Sequence, residues 1–203
     1  MSDVPKHQFT FEEYLAKERV AEVKSEYSRG QIIAIAGGSP RHNTISVNTS
    51  SSLRGRLRGL PCRPFNSDQR IRIHTNGLTT YPDVSVVCGE FQVDSVDRDA
   101  IVNPRVIFEV LSQSTESYDR GKKFELYRQL DSLEEYVLVS QDEALIERFS
   151  RQEKGSWLLT VFKGLNAELE LQTVAINLPL SEIYEDVKFG PEEVLVSESS
   201  HHS

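Results

Sequence analysis

RVIFEVLSQSTESYDRGKKFELY, residues 105–127, decides how this chain folds. Arg105–Leu111 reads as a strand and Tyr118–Leu130 as the helix that follows it. Strand alternation puts Arg105, Ile107, Glu109 and Leu111 on one face and Val106, Phe108 and Val110 on the other. An ionised carboxylate between apolar neighbours is costly unless it is paired or bound to a metal. Glu109 is therefore the first residue that needs an explanation.

The helix supplies a partner. At roughly 100° per residue, Phe124, Leu126, Tyr127 and Leu130 average to a direction within about fifteen degrees of Lys123, whereas Lys122 falls about 100° away. Lys123 is directed inward and Lys122 outward. An inward lysine needs a carboxylate or a phosphate, and Glu109, on the strand before the helix, is the candidate. A buried Glu109–Lys123 ion pair without catalytic consequence satisfies the same pattern, although such pairs stabilise poorly compared with apolar packing.

The preceding apolar stretch, YPDVSVV at 81–87, carries a second acid. Proline is tolerated at the first residue of a strand, so Pro82 places Asp83 at the mouth of the strand Tyr81–Cys88. A carboxylate there and another on the next strand suit Mg²⁺ or Mn²⁺, which takes few protein oxygens and completes its shell with water and phosphate.

Outward from this centre, Thr10-Phe11-Glu12-Glu13 is a capping box that opens a helix running to about Val23. Gln31–Ala36 reads as a strand ending at Gly37-Gly38. Ser39-Pro40 opens a helix over Arg41–Arg58, with Ile45, Leu53 and Leu57 as its apolar stripe and many poor helix formers elsewhere. Cys62–Phe65 and Arg70–His74 are expected strands, as are Glu135–Ser140, Leu145–Phe149 and Trp157–Phe162; Leu178–Tyr184 is a last short helix. The strands at 105–111 and 135–140 flank a helix, which predicts a βαβ crossover. The fold class is α/β (α+β): one layered domain over residues 1–196 with a polar tail at Ser197–Ser203.

Composition sets limits. The chain has 203 residues, 38% hydrophobic and 27% charged, enough for a core without staples. No run approaches the length of a membrane span, and the N-terminus shows no apolar signal core. Cys62 and Cys88 lack pair spacing and are expected to be reduced thiols in a cytoplasmic chain. Net charge is −8, yet residues 41–72 hold seven arginines against one acid, Asp68. That segment is either an approach for a polyanion or an ordinary solvated surface. Arginine without lysine favours bidentate phosphate or carboxylate contact.

Taken in order, YPD (81–83), EVLSQST (109–115), YDRGKKFELY (118–127) and EEYVLV (134–139), with SEYSRGQII (25–33) and SPRHN (39–43) upstream, resemble the Uma-two family of predicted bacterial endonucleases. That family is a branch of the PD-(D/E)XK, restriction-endonuclease-like superfamily, and the resemblance extends from about Phe9 to Glu185. It implies a central mixed sheet flanked by helices and a divalent metal at the active centre. The superfamily's usual lysine, two residues after the acid, is Leu111 here; Lys123 matches the family's lysine on the following helix. Glu26 matches a glutamate before the first strand, either completing the metal shell or orienting its water. The implied activity is phosphodiester hydrolysis of nucleic acid, most readily DNA, at Asp83, Glu109, Lys123 and Glu26. Arg41, His42, Arg54, Arg56 and Arg58 would contact the backbone, and a homodimer would suit cleavage of both strands. A nuclease-like binding or regulatory module without cleavage is the alternative.

Overall fold

The structure, a computed structural model, describes residues 7–190. It is a mixed α/β fold. Chain order runs α1 (Phe11–Glu18), β1 (Ser25–Ser28), β2 (Gln31–Ala34), α2 (Pro40–Arg56), β3 (Cys62–Asn66), β4 (Arg70–Ile73), β5 (Leu78–Thr80), β6 (Val84–Cys88), β7 (Ala100–Ile101) and β8 (Val106–Val110). A helical run follows as α3 (Glu116–Tyr118), a π-turn (Asp119–Lys123) and α4 (Phe124–Tyr127). The chain then forms β9 (Glu135–Val139), β10 (Leu145–Arg151), β11 (Trp157–Lys163), β12 (Glu168–Leu171), β13 (Ile176–Pro179) and α5 (Leu180–Ile183). The polar tail expected at Ser197–Ser203 lies outside the described residues.

Six strands form one sheet in the order β11-β10-β9-β8-β6-β3, and five form another in the order β2-β1-β5-β4-β7. β8 and β9 are parallel, joined by the helical run, which is the crossover expected from the sequence. Alternation along β8 is as read. Val106, Phe108 and Val110 face a core with Val137, Val139, Ile45 and Leu53 of α2 and Leu57 at its C-cap. Ile107 and Leu111 face the opposite core, built with Leu126, Tyr127 and Leu130 of the helical segment and Ile71, Ile73 and Leu78 of the five-stranded sheet. Glu109 shares this second face, between the two sheets.

Packing, not propensity, holds α2. Residues such as Asn43, Thr44, Ser46 and Asn48 each cost about 0.5 kcal/mol relative to alanine. Burying Ile45, Leu53 and Leu57, all 3% exposed or less, contributes about 1.5–3 kcal/mol each and outweighs them. Ser39 caps the helix by accepting the His42 backbone N–H. At α1 the Thr10–Glu13 capping box forms as predicted, but the helix ends at Glu18, short of Val23.

The structure adds one strand and corrects two expectations. Ser25–Ser28 is a strand that no alternation announces, because Ser25, Glu26 and Tyr27 are all buried. Leu178 lies in β13 and only Leu180–Ile183 is helical. Cys62 and Cys88 are not free thiols: they oppose each other in the β3–β6 register and form a disulfide, with Cα atoms 3.9 Å apart. Their separation of 26 residues carries no pair signal; only the strand register brings them together. No helix among the described residues is long and apolar enough to cross a membrane.

Candidate active site

Two acids come from neighbouring strands. Val84 pairs with Phe108 across β6 and β8, which leaves Asp83, one residue earlier, across from Glu109. The backbone N–H of Val110 donates to Asp83 Oδ2 at 2.7 Å, and His42 Nε2 lies 2.9 Å from Asp83 Oδ1. Ser39 starts α2 so that His42 falls in its first turn. Gly38 makes room for the imidazole: a Cβ at that position would sit 2.5 Å from the His42 ring.

Glu26 comes from β1 of the other sheet and accepts a hydrogen bond from the Thr80 hydroxyl of β5. It lies inside the first strand rather than before it. The π-turn contributes Asp119 and Lys123. Single π-turns within helices are rare and concentrate at functional sites. Here the turn aims both residues at the sheets, and the Tyr136 hydroxyl of β9 anchors its start by donating to the Asp119 carbonyl at 3.0 Å.

Lys123 is the hub. Its Nζ lies 2.8 Å from Glu109 Oε1, 3.4 Å from Asp119 Oδ1 and 3.6 Å from Glu26 Oε1. The Tyr127 hydroxyl donates to Glu109 Oε1 at 2.8 Å. Glu26, Glu109, Asp119 and Lys123 are all between 3% and 8% exposed. Lys122 points out and pairs with Glu125 at the surface, so the wheel's inward–outward assignment of the two lysines holds.

These groups line a cleft of about 1060 Å³. Six carboxylates line it, Glu26, Asp83, Glu109, Glu116, Asp119 and Asp142, against Lys123, Arg41 and His42; of these, Glu26, Glu109, Asp119 and Lys123 are buried. Burial pushes Glu109 up to about 8, against the pull of Lys123 and with the push of Asp119 and Asp83. Burial also raises Asp119. For Lys123, burial opposes the charge, but Glu109, Glu26 and Asp119 overcome it and hold the ammonium well above its ordinary value. His42 is likewise penalised by burial, yet its hydrogen bond to Asp83 and the charges of Asp83 and Asp119 raise it.

Does a divalent cation fit? Among the described residues no three Asp, Glu, His or Cys side chains close into a ready metal shell. Mg²⁺ does not need one, since one or two carboxylates plus water and phosphate oxygens suffice. The donors are all hard oxygens, negative charge is in excess, and Asp119 Oδ1 is buried without a hydrogen-bond partner. The chemistry of these donors suits such an ion.

The arginines divide. Arg41 lines the cleft and donates to the Gly190 carbonyl at 2.7 Å. Arg56 is engaged by Glu182, with contacts of 2.6 and 2.7 Å. Arg54 and Arg58 are exposed and do not line the cleft. Arg70 and Arg72 turn inward to Asp97 and Asp94. The basic segment thus does not form one continuous face; Arg41 and His42 alone of the expected contact residues reach the cleft.

Sequence reasoning passed over Asp119, although it stands four residues before Lys123 and so on the same helical face. Thr80 gave no signal, because its partner Glu26 is distant in sequence. Tyr127, read as core, is core and also holds Glu109.

Comparisons with known proteins agree with this architecture. A family model described as "Uma2: Putative restriction endonuclease" matches residues 11–181. Two uncharacterized proteins of Synechocystis sp. are similar: slr1290 is 39% identical over 88% of this chain and 92% of its own, and sll1609 is 37% identical over 82% and 94%. The crystal structure of "a putative nuclease belonging to DUF820" from Anabaena variabilis aligns with a TM-score of 0.72 at 19% identity, covering 89% of this chain and 99% of that one. That likeness establishes a shared fold. The extent of the family match and the identity to the Synechocystis relatives place this chain in the Uma2 family.

Proposed function

We propose that this chain is a metal-dependent endonuclease that hydrolyses phosphodiester bonds of nucleic acid, DNA foremost, with Mg²⁺ or Mn²⁺ held by Asp83 and Glu109. The observation that carries this reading is the excess of buried carboxylate over cation in one open cleft. Three buried acids, Glu26, Glu109 and Asp119, face a single buried lysine there, with the half-buried Asp83 beside them, an imbalance that a purely structural ion pair does not require. Membership of the Uma2 family supports it independently.

The bound ion would supply positive charge at the scissile phosphate and acidify a water. The chain's own groups do the rest. Val110 and His42 fix the Asp83 carboxylate at both oxygens. Tyr127 and Lys123 fix Glu109. The Lys123 ammonium, kept ionised by three acids, places a second positive charge where the phosphorane develops negative charge. Glu26, tied to Thr80, holds that ammonium in position. Arg41 at the cleft wall offers a fork for a backbone phosphate without reading sequence. A homodimer suits the same reading.

The test is cleavage of supercoiled and linear DNA in Mg²⁺, Mn²⁺ or EDTA by the native chain, Glu109→Ala and Lys123→Ala. The reading expects scission with either metal and none in EDTA or from either variant. Scission that survives both substitutions contradicts it. One observation favours a second reading, a silent nuclease-like binding module: the Glu109–Lys123 contact at 2.8 Å already neutralises Glu109 without an ion. That module would retain DNA with a steep salt slope and never cut it.

A further inference from the structure

The cleft has two unlike walls. Antiparallel pairing sets Ile33 of β2 opposite Glu26 of β1, and directly opposed residues share one face of a sheet. Ile33 therefore stands beside Glu26 on the cleft side, 48% exposed next to a buried carboxylate. Ile35, two residues on, shares that side, and its N–H donates to the Lys24 carbonyl beyond the end of β2. Ala36, Gly37 and Gly38 carry this apolar lining on to α2 without a charged group. Tyr118 of α3 also lines the cleft. Burial, and after it the Glu26 charge, push its hydroxyl up to about 12, so Tyr118 and Ile33 both neighbour the same acid. The remaining lining is polar: Lys123 with its carboxylates, and the loop after β8 with Ser112, Gln113 and Ser114.

A nucleic-acid strand is divided in the same way, into apolar base faces and charged phosphates. In a duplex the base faces are stacked away inside; only an unpaired strand offers both at once. Depth favours the unpaired strand too. Glu26, Glu109 and Lys123 are 8% exposed or less, so a phosphate reaches them only by entering the cleft. Duplex DNA is stiff over about 150 bp, whereas a single strand bends. Charge outside the cleft points the same way. Duplex carries one phosphate charge per ~1.7 Å and a single strand one per ~3.4 Å. Arg56, Arg70 and Arg72 are engaged by Glu182, Asp97 and Asp94, and the chain's net charge is −8. The described residues 41–72 thus form no continuous basic face for a duplex.

We propose that the cleft takes an unpaired nucleic-acid strand, its phosphate towards Lys123 and its bases against Ile33, Ile35 and Tyr118. This names the substrate class of the proposed nuclease site and rests on that reading. A duplex enters only where it opens, as in the transiently unpaired segments of supercoiled DNA, and is cut more slowly.

The experiment uses the full chain and one labelled mixed-sequence oligonucleotide, alone or annealed to its complement. Affinity is read by fluorescence anisotropy in Ca²⁺ and scission on gels in Mn²⁺, for native protein, Ile33→Ser, Tyr118→Ala and Tyr118→Phe. Native protein should bind and cut the single strand at least about 10-fold better than the duplex, as stacking of one or two bases implies. Ile33→Ser and Tyr118→Ala should each lose about 5-fold or more in single-strand affinity, with Tyr118→Phe close to native. Ile33 is half exposed, so its substitution leaves the fold intact. Duplex bound or cut as well as the single strand overturns the inference and leaves the nuclease reading standing. Native single-strand affinity in both Ile33→Ser and Tyr118→Ala does the same. Preferential single-strand binding without scission upholds the occupant and overturns the nuclease reading. Neither binding nor scission of either form overturns both.

Discussion

His42 and Asp83 meet across the cleft, Nε2 to Oδ1 at 2.9 Å, and Asp83 turns its other oxygen to the Val110 N–H. The carboxylate just before β6 is thus fixed at both oxygens before any ligand arrives. Groups that orient a ligating carboxylate are commonly worth 10–100-fold in metal affinity. His42→Ala should therefore weaken Mn²⁺ binding about 10-fold or more, measured by calorimetric titration. Gly38→Ala should act in the same direction, because its Cβ would lie 2.5 Å from the His42 ring and displace it. Unchanged affinity in both variants would remove Asp83 from the metal site.

The pH dependence of stability follows from Glu109. Burial raises this acid from an ordinary 4.5 to about 8, so the folded chain holds the proton more tightly than the unfolded chain does. In EDTA its contribution is fully present below about pH 4.5 and is lost as pH rises to about 8. Glu109→Gln should flatten that part of the profile. Mg²⁺ needs the ionised acid, so the rise in Tm on adding Mg²⁺ should be larger at about pH 8 than at about pH 5.5. Thermal melts at both pH values, with Mg²⁺ or EDTA, check the sign.

Adjacent lysines should behave oppositely. Lys122 forms an exposed pair with Glu125 at 2.9 Å, of the kind worth ~0–1 kcal/mol. Above about pH 8, where Glu109 is ionised, Lys123→Ala instead leaves it buried without its cation, which costs about 3–5 kcal/mol. Urea unfolding in EDTA should show Lys122→Ala close to native and Lys123→Ala strongly destabilised. Similar midpoints for the two would mean that Lys123 is not the buried partner of Glu109.

The disulfide is a stability element remote from the site. It joins residues 26 apart, and closing a loop of that size typically contributes about 2–4 kcal/mol. The Cys62–Cys88 pair lies at the opposite end of the β3–β6 ladder from Val84, the neighbour of Asp83. Cys62→Ser/Cys88→Ser should lose stability by about that amount, while Mn²⁺ affinity of the folded chain stays native. A loss of affinity without a loss of stability would show a coupling that this geometry does not contain.

Local pattern revealed the centre better than the frame around it. The alternation of Val106–Val110 and the helical spacing of Lys123, Leu126 and Tyr127 are short-range signals, and both survive in the fold. Asp83 was legible because Pro82 marks a strand mouth. Glu26 was reached only through family resemblance, since β1 is buried along its length and shows no alternation. Asp119 was missed because the wheel was read for apolar residues, and the π-turn that aims it is set by tertiary anchoring through Tyr136. The disulfide and the scattering of the arginines depend on strand register and on partners such as Asp94, Asp97 and Glu182, which no local window contains.

The most direct test is a crystal soaked with Mn²⁺ and measured at the manganese absorption edge. The account predicts an anomalous peak between the carboxylates of Asp83 and Glu109, with the Lys123 ammonium remaining among Glu26, Glu109 and Asp119. A soaked crystal with no manganese at that position, from protein that cleaves DNA in the same Mn²⁺ solution, would contradict it.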